Sequence, residues 1–359
     1  MATVKSVFGK YAERLQTVIN EAATAGQFAT PWFTNYFDFG PKQKSITYAS
    51  VIGRSRIEAA ASVIARGAAA PLRGRQGLEK LSGEIPTIAE KFSMDENDYR
   101  AVMAIIEDMR LSDESRRDAL VKLLFNDVKK AGEAPGRRLD IMCQEAVSTG
   151  KITINSTNNP DGITTADIDL LMPDGNKTNA ATVWSTSNTA TPITDFETVV
   201  NYQRNRGVAL AKVLMTPTAW AEFRKCTEVK DYLGSFYGKT NNKVLATLDA
   251  VNEFLNANRL PIVEIVDKSY NIEKDGAYVN YQPFSDLNVA FIPAGKLGMI
   301  HNAYALEEME PVDGVNYATF NNALISKWRD NEPYREYTKV ELNAFPGLDQ
   351  IDSIHLLTI

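Results

Sequence analysis

The stretch Ser93–Gly150 limits the fold more than any other part of this 359-residue chain, because its apolar residues recur at helical spacing almost throughout. Ser93 and Glu96 have the spacing of a capping box, in which a hydroxyl and a carboxylate each satisfy one orphan amide at a helix start. Tyr99, Val102, Ile105, Ile106 and Met109 then fall on one helical face. Ser112, followed by Asp113 and Glu114, reads as a second start, since carboxylates oppose the positive end of a helix. Leu120, Leu123, Leu124 and Val128 supply its buried side. Gly132–Gly136, with Pro135 inside it, is expected to interrupt the pattern, and Leu139, Met142 and Ala146 resume it up to Gly150. The expectation is a long helix, a turn and further helix, together forming a spine with no pattern of a reaction centre.

A chain of this length exceeds what one small core serves, which predicts two domains or one domain with large appendages. Its 44% hydrophobic and 23% charged residues are those of an ordered globular protein. The net charge of -6 argues against a dedicated nucleic-acid binder, which needs clustered lysine and arginine. Cys143 and Cys226 are too few for a disulfide framework and have no metal-ligand spacing, so both read as buried reduced thiols. No apolar run approaches the ~18 residues of a membrane span and the first residues lack an apolar signal core, so synthesis at a cytosolic or virus-internal site is expected.

Two segments before the spine are unusual. Val7–Ala22 has a one-sided apolar pattern, after which Trp32, Phe33, Tyr36, Phe37 and Phe39 cluster beside Pro31, Gly40 and Pro41. These rings predict an arm that either folds back on its own core or reaches a neighbouring subunit, because a large exposed apolar patch marks a contact surface. From Lys42 to Phe92, nine basic residues (Lys42, Lys44, Arg54, Arg56, Arg66, Arg73, Arg75, Lys80, Lys91) stand against Glu58, Glu79, Glu84 and Glu90. That stretch carries +5, which against -6 overall leaves -11 for the remainder. Such asymmetry fits one part of a subunit meeting another part of its copy, and the alternation of small residues with Val51, Ile64 and Ile85 reads as a long hairpin or loop excursion.

Beyond the spine, Lys151–Asn155 alternates as a half-buried strand, Asn158–Gly162 is turn chemistry, and Ile168–Leu171 reads as the returning strand. A polar stretch anchored only by Trp184 leads to a helix expected to start at Thr194 or Asp195. From Ala209 the order is α/β: a strand at Val213–Met215, a helix after Pro217, a helix at Leu245–Asn256, and strands at Ile262–Val266 and Asn288–Pro293. A mixed α/β domain is placed at 190–325. The alternating tail from Tyr337 to Ile359 is expected to return to the spine region, which makes the first domain discontinuous.

Catalytic and metal patterns are weak. Gly238-Lys239-Thr240 lacks the GxxxxGK[ST] spacing to Gly234 and follows no apolar strand. His301 and His355 have no neighbouring ligand spacing, and Asp167 and Asp169 lack the third ligand and glycine of a calcium loop. No enzyme activity, cofactor or metal is expected on these residues.

Several segments then resemble the lambda-like major capsid protein E family of tailed bacteriophages. They are AAASVIARGAAAPLRGRQGLEKLSGEIPTIAEKFSMDENDYR (59–100), GRRLDIMCQEAVSTGKITI (136–154), TPITDFETVV (191–200), LMTPTAWAEF (214–223), IPAGKLGMI (292–300) and the tail after Tyr334, all in the family's order. The resemblance is thin between 225 and 290. It implies an α+β, HK97-like capsid fold with an N-terminal arm (1–47), an extended E-loop and its connection (48–92), a P-domain with the spine helix (93–189), an A-domain (190–325) and return strands of the P-domain (326–359). It also implies hexamers and pentamers forming an icosahedral head around double-stranded DNA, assembled in the host cytoplasm with scaffold, portal and decoration partners. On that basis Trp32, Phe33 and Phe37, and Arg54, Arg56, Arg66, Arg73 and Arg75, are candidate intersubunit contacts, the arginines pairing with acidic residues in Asp108–Glu114 or near Glu133 of a neighbour. The alternatives are an α/β enzyme of unknown substrate and a cargo-compartment shell protein of the same fold.

Overall fold

The computed structural model describes residues 15–53, 78–94, 96–107, 113–238, 245–274, 276–332 and 334–359. These form a mixed α+β structure in two compact units, one within Met1–Tyr48, Gly83–Asp140 and Ile300–Pro346, the other within Ala49–Ser82, Ile141–Met299 and Gly347–Ile359.

The sheet of the first unit is ordered Phe37–Phe39, Gly298–Ala303, Tyr334–Gly347, Ala323–Asn331, Asn316–Phe320, with Thr87–Met94 also paired to the strand Tyr334–Gly347. The long strand sets the register: Val340 lies opposite Ile325 on one side and Glu90 on the other. Val340, Leu342 and Ala344 are buried at the two-residue period that puts one strand face on a core. The same period carries Glu336 and Thr338 inside, where Lys327 reaches both, its ammonium 2.9 Å from Thr338 Oγ1 and 3.4 Å from Glu336. This pairing also moves a helix start. Ser93 lies opposite Tyr337 in the sheet, and the helix begins at Glu96 and runs to Glu107, so Ser93 is not the N-cap that its spacing to Glu96 predicts.

The largest difference from expectation is in the spine. Asp113–Thr149 is one helix of 37 residues that passes through Pro135 without a turn. An interior proline removes one hydrogen bond and crowds a carbonyl, at a cost of about 3 kcal/mol. The flanking glycines show what offsets it. A Cβ on Gly132 would lie 3.2 Å from the Phe320 ring, and one on Gly136 would lie 3.1 Å from Pro31. Gly132 and Gly136 thus act as a smooth track along which other segments approach the helix backbone, and Pro135 between them is buried, as is Gly132. Past Ala146 the helix ends at Gly150, whose φ of +71° is the left-handed conformation a glycine accepts at a helix end.

The second unit is built on a five-stranded sheet ordered Lys177–Asn179, His355–Thr358, Asn288–Pro293, Leu210–Met215, Ile262–Ile265. Its outer pairs are parallel and its two inner pairs antiparallel. The helices Pro192–Asn205, Pro217–Phe223, Thr227–Phe236 and Leu248–Ala257 accompany it, and their apolar positions join Trp184, Phe196, Phe223 and Phe291 in one core. Trp184 is the anchor the polar stretch around it needed: its indole N–H donates 3.0 Å to the buried Asp195 carboxylate. Of the two tail segments, Tyr334–Gly347 lies in the first unit's sheet, whereas the last strand lies between the strands Asn288–Pro293 and Lys177–Asn179 of the second. Its run of Leu356 and Leu357, buried on both faces, is what an inner strand requires.

Candidate subunit-contact site

The N-terminal segment is the first candidate. The helix Leu15–Thr24 buries Leu15, Ile19 and Ala22. Gln16 then imitates a strand, its amide accepting from the Thr319 N–H at 2.7 Å and donating to the Thr319 carbonyl at 3.0 Å, which covers one position on the edge strand Asn316–Phe320. Downstream the chain runs beside the long helix with one fastening per turn or so. The Ala29 N–H donates to Glu133, Pro31 packs at Gly136, and the Phe33 N–H donates 2.7 Å to the buried Asp140 carboxylate. Positions 133, 136 and 140 share one helical face.

Trp32, Phe33 and Phe37 are all buried by the chain itself, with Trp32 tilted against Tyr36 and Phe33 edge-on to Phe39. Of the two readings open for this cluster, the structure takes the arm folded back on its own core. These three rings are among the intersubunit candidates, and their exposure of 6%, 3% and 1% is that of the chain by itself. Glu133 is likewise engaged within its own chain, by Ala29, Arg137 and Lys129, and is not an unpaired acceptor for a neighbour's arginine.

The second candidate is the root of the basic excursion. Arg54, Arg56, Arg66, Arg73 and Arg75 lie outside the described residues, as does Asp108–Ser112, but the strands leading to and from the arginines, Thr47–Gly53 and Leu78–Glu84, pair with one another. Tyr48 pins this pair. Its ring stacks on His301 at 5.1 Å and on Phe345 at 5.0 Å, and burial pushes its phenol above the ordinary pKa. Gly83 faces it so closely that a Cβ there would sit 3.0 Å from the ring, so the root closes only with glycine or with a shift of Tyr48. The Ile85 N–H donates to the Ile46 carbonyl at 2.7 Å below that contact.

Three exposed apolar groups were not anticipated from the sequence. In the first unit Leu306, Met309 and Val312 stand out of a short acidic segment. In the second, Tyr232 and Phe236 pack against Phe254, with Tyr237 edge-on to Phe236 and donating 2.6 Å to Glu253. The signal for these was present: Tyr232 and Phe236 are one turn apart and out of phase with the buried pair Val229 and Leu233. The third is the hairpin Tyr270–Lys274/Ala277–Tyr281, with exposed Tyr278 and Val279. Its base pair of tyrosines is held by neighbouring residues of the long helix, Gln144 donating to the Tyr270 hydroxyl and the Tyr281 hydroxyl donating 2.6 Å to Glu145.

The polar groups that chemistry would need are otherwise occupied. Among the described residues no group of three or more histidine, cysteine, aspartate or glutamate side chains is placed to hold a metal. Asp167 accepts from Thr153, and Asp169 accepts from the Leu171 N–H. Cys143 and Cys226 are buried free thiols, and burial, aided by Glu222 and Glu228, pushes Cys226 up to about 11. His355 is buried between Thr178 and Gln203, held well below its ordinary pKa. Gly238 ends a helix with φ +62°, and Lys239 and Thr240 lie outside the described residues. No helix among the described residues is long and apolar enough to cross a membrane.

A mixed α+β chain with this pair of units, a spine-length helix and a rooted two-stranded excursion has the HK97-like capsid fold. A crystal structure of the proposed capsid protein of a prophage from E. coli CFT073 superposes with a TM-score of 0.60 at 16% identity, covering 97% of this chain and 98% of that one. More distant matches are a phage-related protein of Bordetella bronchiseptica RB50 (TM-score 0.47, 11% identity, 90% and 89% covered) and the capsid of cyanophage A-1(L) (0.44, 12%, 91% of each). No curated protein matches in sequence. The family model described as phage major capsid protein E matches residues 17–359, and the chain belongs to that family. It is a capsid-forming structural protein that self-assembles into a shell.

Proposed function

We propose that the chain assembles as hexamers and pentamers into the icosahedral head that encloses a tailed phage's double-stranded DNA, built in the host cytoplasm with scaffold, portal and decoration partners. The observation that carries this reading is the family match over residues 17–359 together with the rooted excursion, a part with no use in an isolated globule. In this reading residues 93–189 and 326–359 supply the peripheral domain, residues 190–325 the axial domain, and the pair Thr47–Gly53/Leu78–Glu84 the base of an E-loop that lies over an adjacent subunit. The arginines of that loop, Arg54, Arg56, Arg66, Arg73 and Arg75, contact the neighbour. The many exposed apolar groups suit a shell, where each contact holds modestly and the closed lattice repeats it.

Negative-stain electron microscopy of the expressed protein, with light scattering across ionic strength, tests the reading. Closed shells or rings of five and six that loosen as salt rises support it. Open tubes or a single ring size at every condition sink it.

A further inference from the structure

The helix Pro192–Asn205 of the second unit ends on an arginine whose partners are all neutral. Arg206 donates through Nη1 to Asn176 Oδ1, and its guanidinium lies over the Tyr202 ring, 5.5 Å from the centroid. It forms no ion pair with a carboxylate among the described residues. Asn176 is fixed independently of it. Fully buried, Asn176 donates 2.8 Å to the Asp352 and Ile354 carbonyls, and its Oδ1 also accepts from Gln203. The half-buried arginine is thus held in one place by groups that leave its charge uncompensated and most of its N–H donors unused.

Two hydroxyls stand beside it. Gln203 Nε2 donates to Asn176 and faces His355 Nδ1 at 3.3 Å, so Nδ1 accepts and the opposite ring nitrogen donates 2.8 Å to Thr178 Oγ1. Thr178 is exposed, and with its oxygen engaged by His355 its own hydrogen is left to donate outside the network. Tyr202 packs edge-on to the same imidazole at 5.5 Å and is 39% exposed. Its hydroxyl rests against Gly175, where a Cβ would collide with it. Around the buried His355 the chain therefore presents a cation and hydroxyl donors, while the acceptors beneath, Asn176 Oδ1 and His355 Nδ1, are already taken.

We propose that Arg206, Thr178 and Tyr202 bind a tetrahedral oxyanion of the phosphate class, as free phosphate or as a phosphodiester of a nucleic-acid strand. A guanidinium fork takes two oxygens of such an anion and the hydroxyls a third, whereas a carboxylate has no third oxygen to offer. The assignment goes beyond the shell reading and does not depend on it.

Equilibrium dialysis of the full chain against radiolabelled inorganic phosphate, at ionic strength fixed with sodium chloride, tests it whether or not shells form. Saturable binding of about one phosphate per chain is expected. Losing a charged hydrogen bond should weaken it about tenfold in Arg206→Gln and measurably in Thr178→Val, with Thr178→Ser restoring the parent affinity. Circular dichroism checks that each variant is folded, and if Arg206→Gln is not, Arg206→Lys and the Thr178 pair decide. A ten-residue thymidine oligonucleotide that displaces the label at lower concentration than unlabelled phosphate assigns the site to a phosphodiester; displacement by phosphate alone assigns it to the free anion. Binding that does not saturate, that chloride abolishes, or that is equal in parent and variants overturns the proposal.

Discussion

Lowering the pH should loosen the second unit through one imidazole. His355 is 1% exposed, its Nε2 2.8 Å from Thr178 Oγ1 and its Nδ1 3.3 Å from Gln203 Nε2. The Gln203 amide also donates to Asn176 Oδ1, so its nitrogen faces the ring, Nδ1 accepts and Nε2 carries the proton. A second proton on Nδ1 would meet a donor, in a site burial has desolvated and beside the Arg206 guanidinium. Burial first, then Arg206, lower this histidine from 6.5 to about 4. Because the folded value lies below the unfolded one, the stabilisation is fully present above 6.5, is lost as pH falls toward 4, and falls no further below that. The gap corresponds to about 3 kcal/mol at 1.36 kcal/mol per pH unit. Urea unfolding followed by the fluorescence of Trp184 and Trp220 at pH 7.5, 6, 5 and 4 measures it, with His355→Gln subtracting the carboxylates that titrate in the same range. The difference between parent and variant should shrink by about 3 kcal/mol across that span. Only His301 and His355 contribute imidazole resonances, so the assignment is direct. A His355 signal that titrates near 6.5, or stability curves that stay parallel, refutes the reasoning.

Asp140→Ala removes the acceptor for the Phe33 N–H in a buried place and should cost about 1–3 kcal/mol in denaturant unfolding. Gly83→Val forces Tyr48 off its stack and should lower stability by about 1–3 kcal/mol, read as a drop in thermal midpoint. Lys327→Met alone should cost about 3–5 kcal/mol, because the buried Glu336 carboxylate loses the Lys327 ammonium, whereas Lys327→Met combined with Glu336→Leu should recover most of that loss in the same urea titration. Cys143 and Cys226 should both resist a thiol-reactive dye at pH 8 until the chain is denatured, when both react.

Much of the α/β order was legible because strand and helix periods differ along a single segment. Val213–Met215 followed by Pro217 reads directly as strand then helix, and Thr216 caps that helix by accepting from the Ala219 N–H. Features that depend on distant partners were not legible. Pro135 argues locally for a break, and only the approach of Phe320 and Pro31 to Gly132 and Gly136 explains why the helix runs on. The cluster around Trp32 announces burial but not by what, since its acceptor Asp140 lies 107 residues away. The capping box at Ser93 failed for the same reason, as sheet pairing with Tyr337 outweighed a local side-chain bond. Of the contact candidates, composition singled out the basic excursion, while the exposed group Leu306, Met309 and Val312 escaped notice because the charges around it look like any solvated acidic turn.

The fastening of the N-terminal segment also sets an order of events during synthesis. Gln16 closes on Thr319, 303 residues further along, and so cannot dock until most of the polypeptide has left the ribosome. Until then the edge of Asn316–Phe320 and the glycine track of the helix lack their cover. A subunit interrupted late in translation therefore differs from a finished one at the helix Leu15–Thr24, which gives the assembling population a built-in test of completeness.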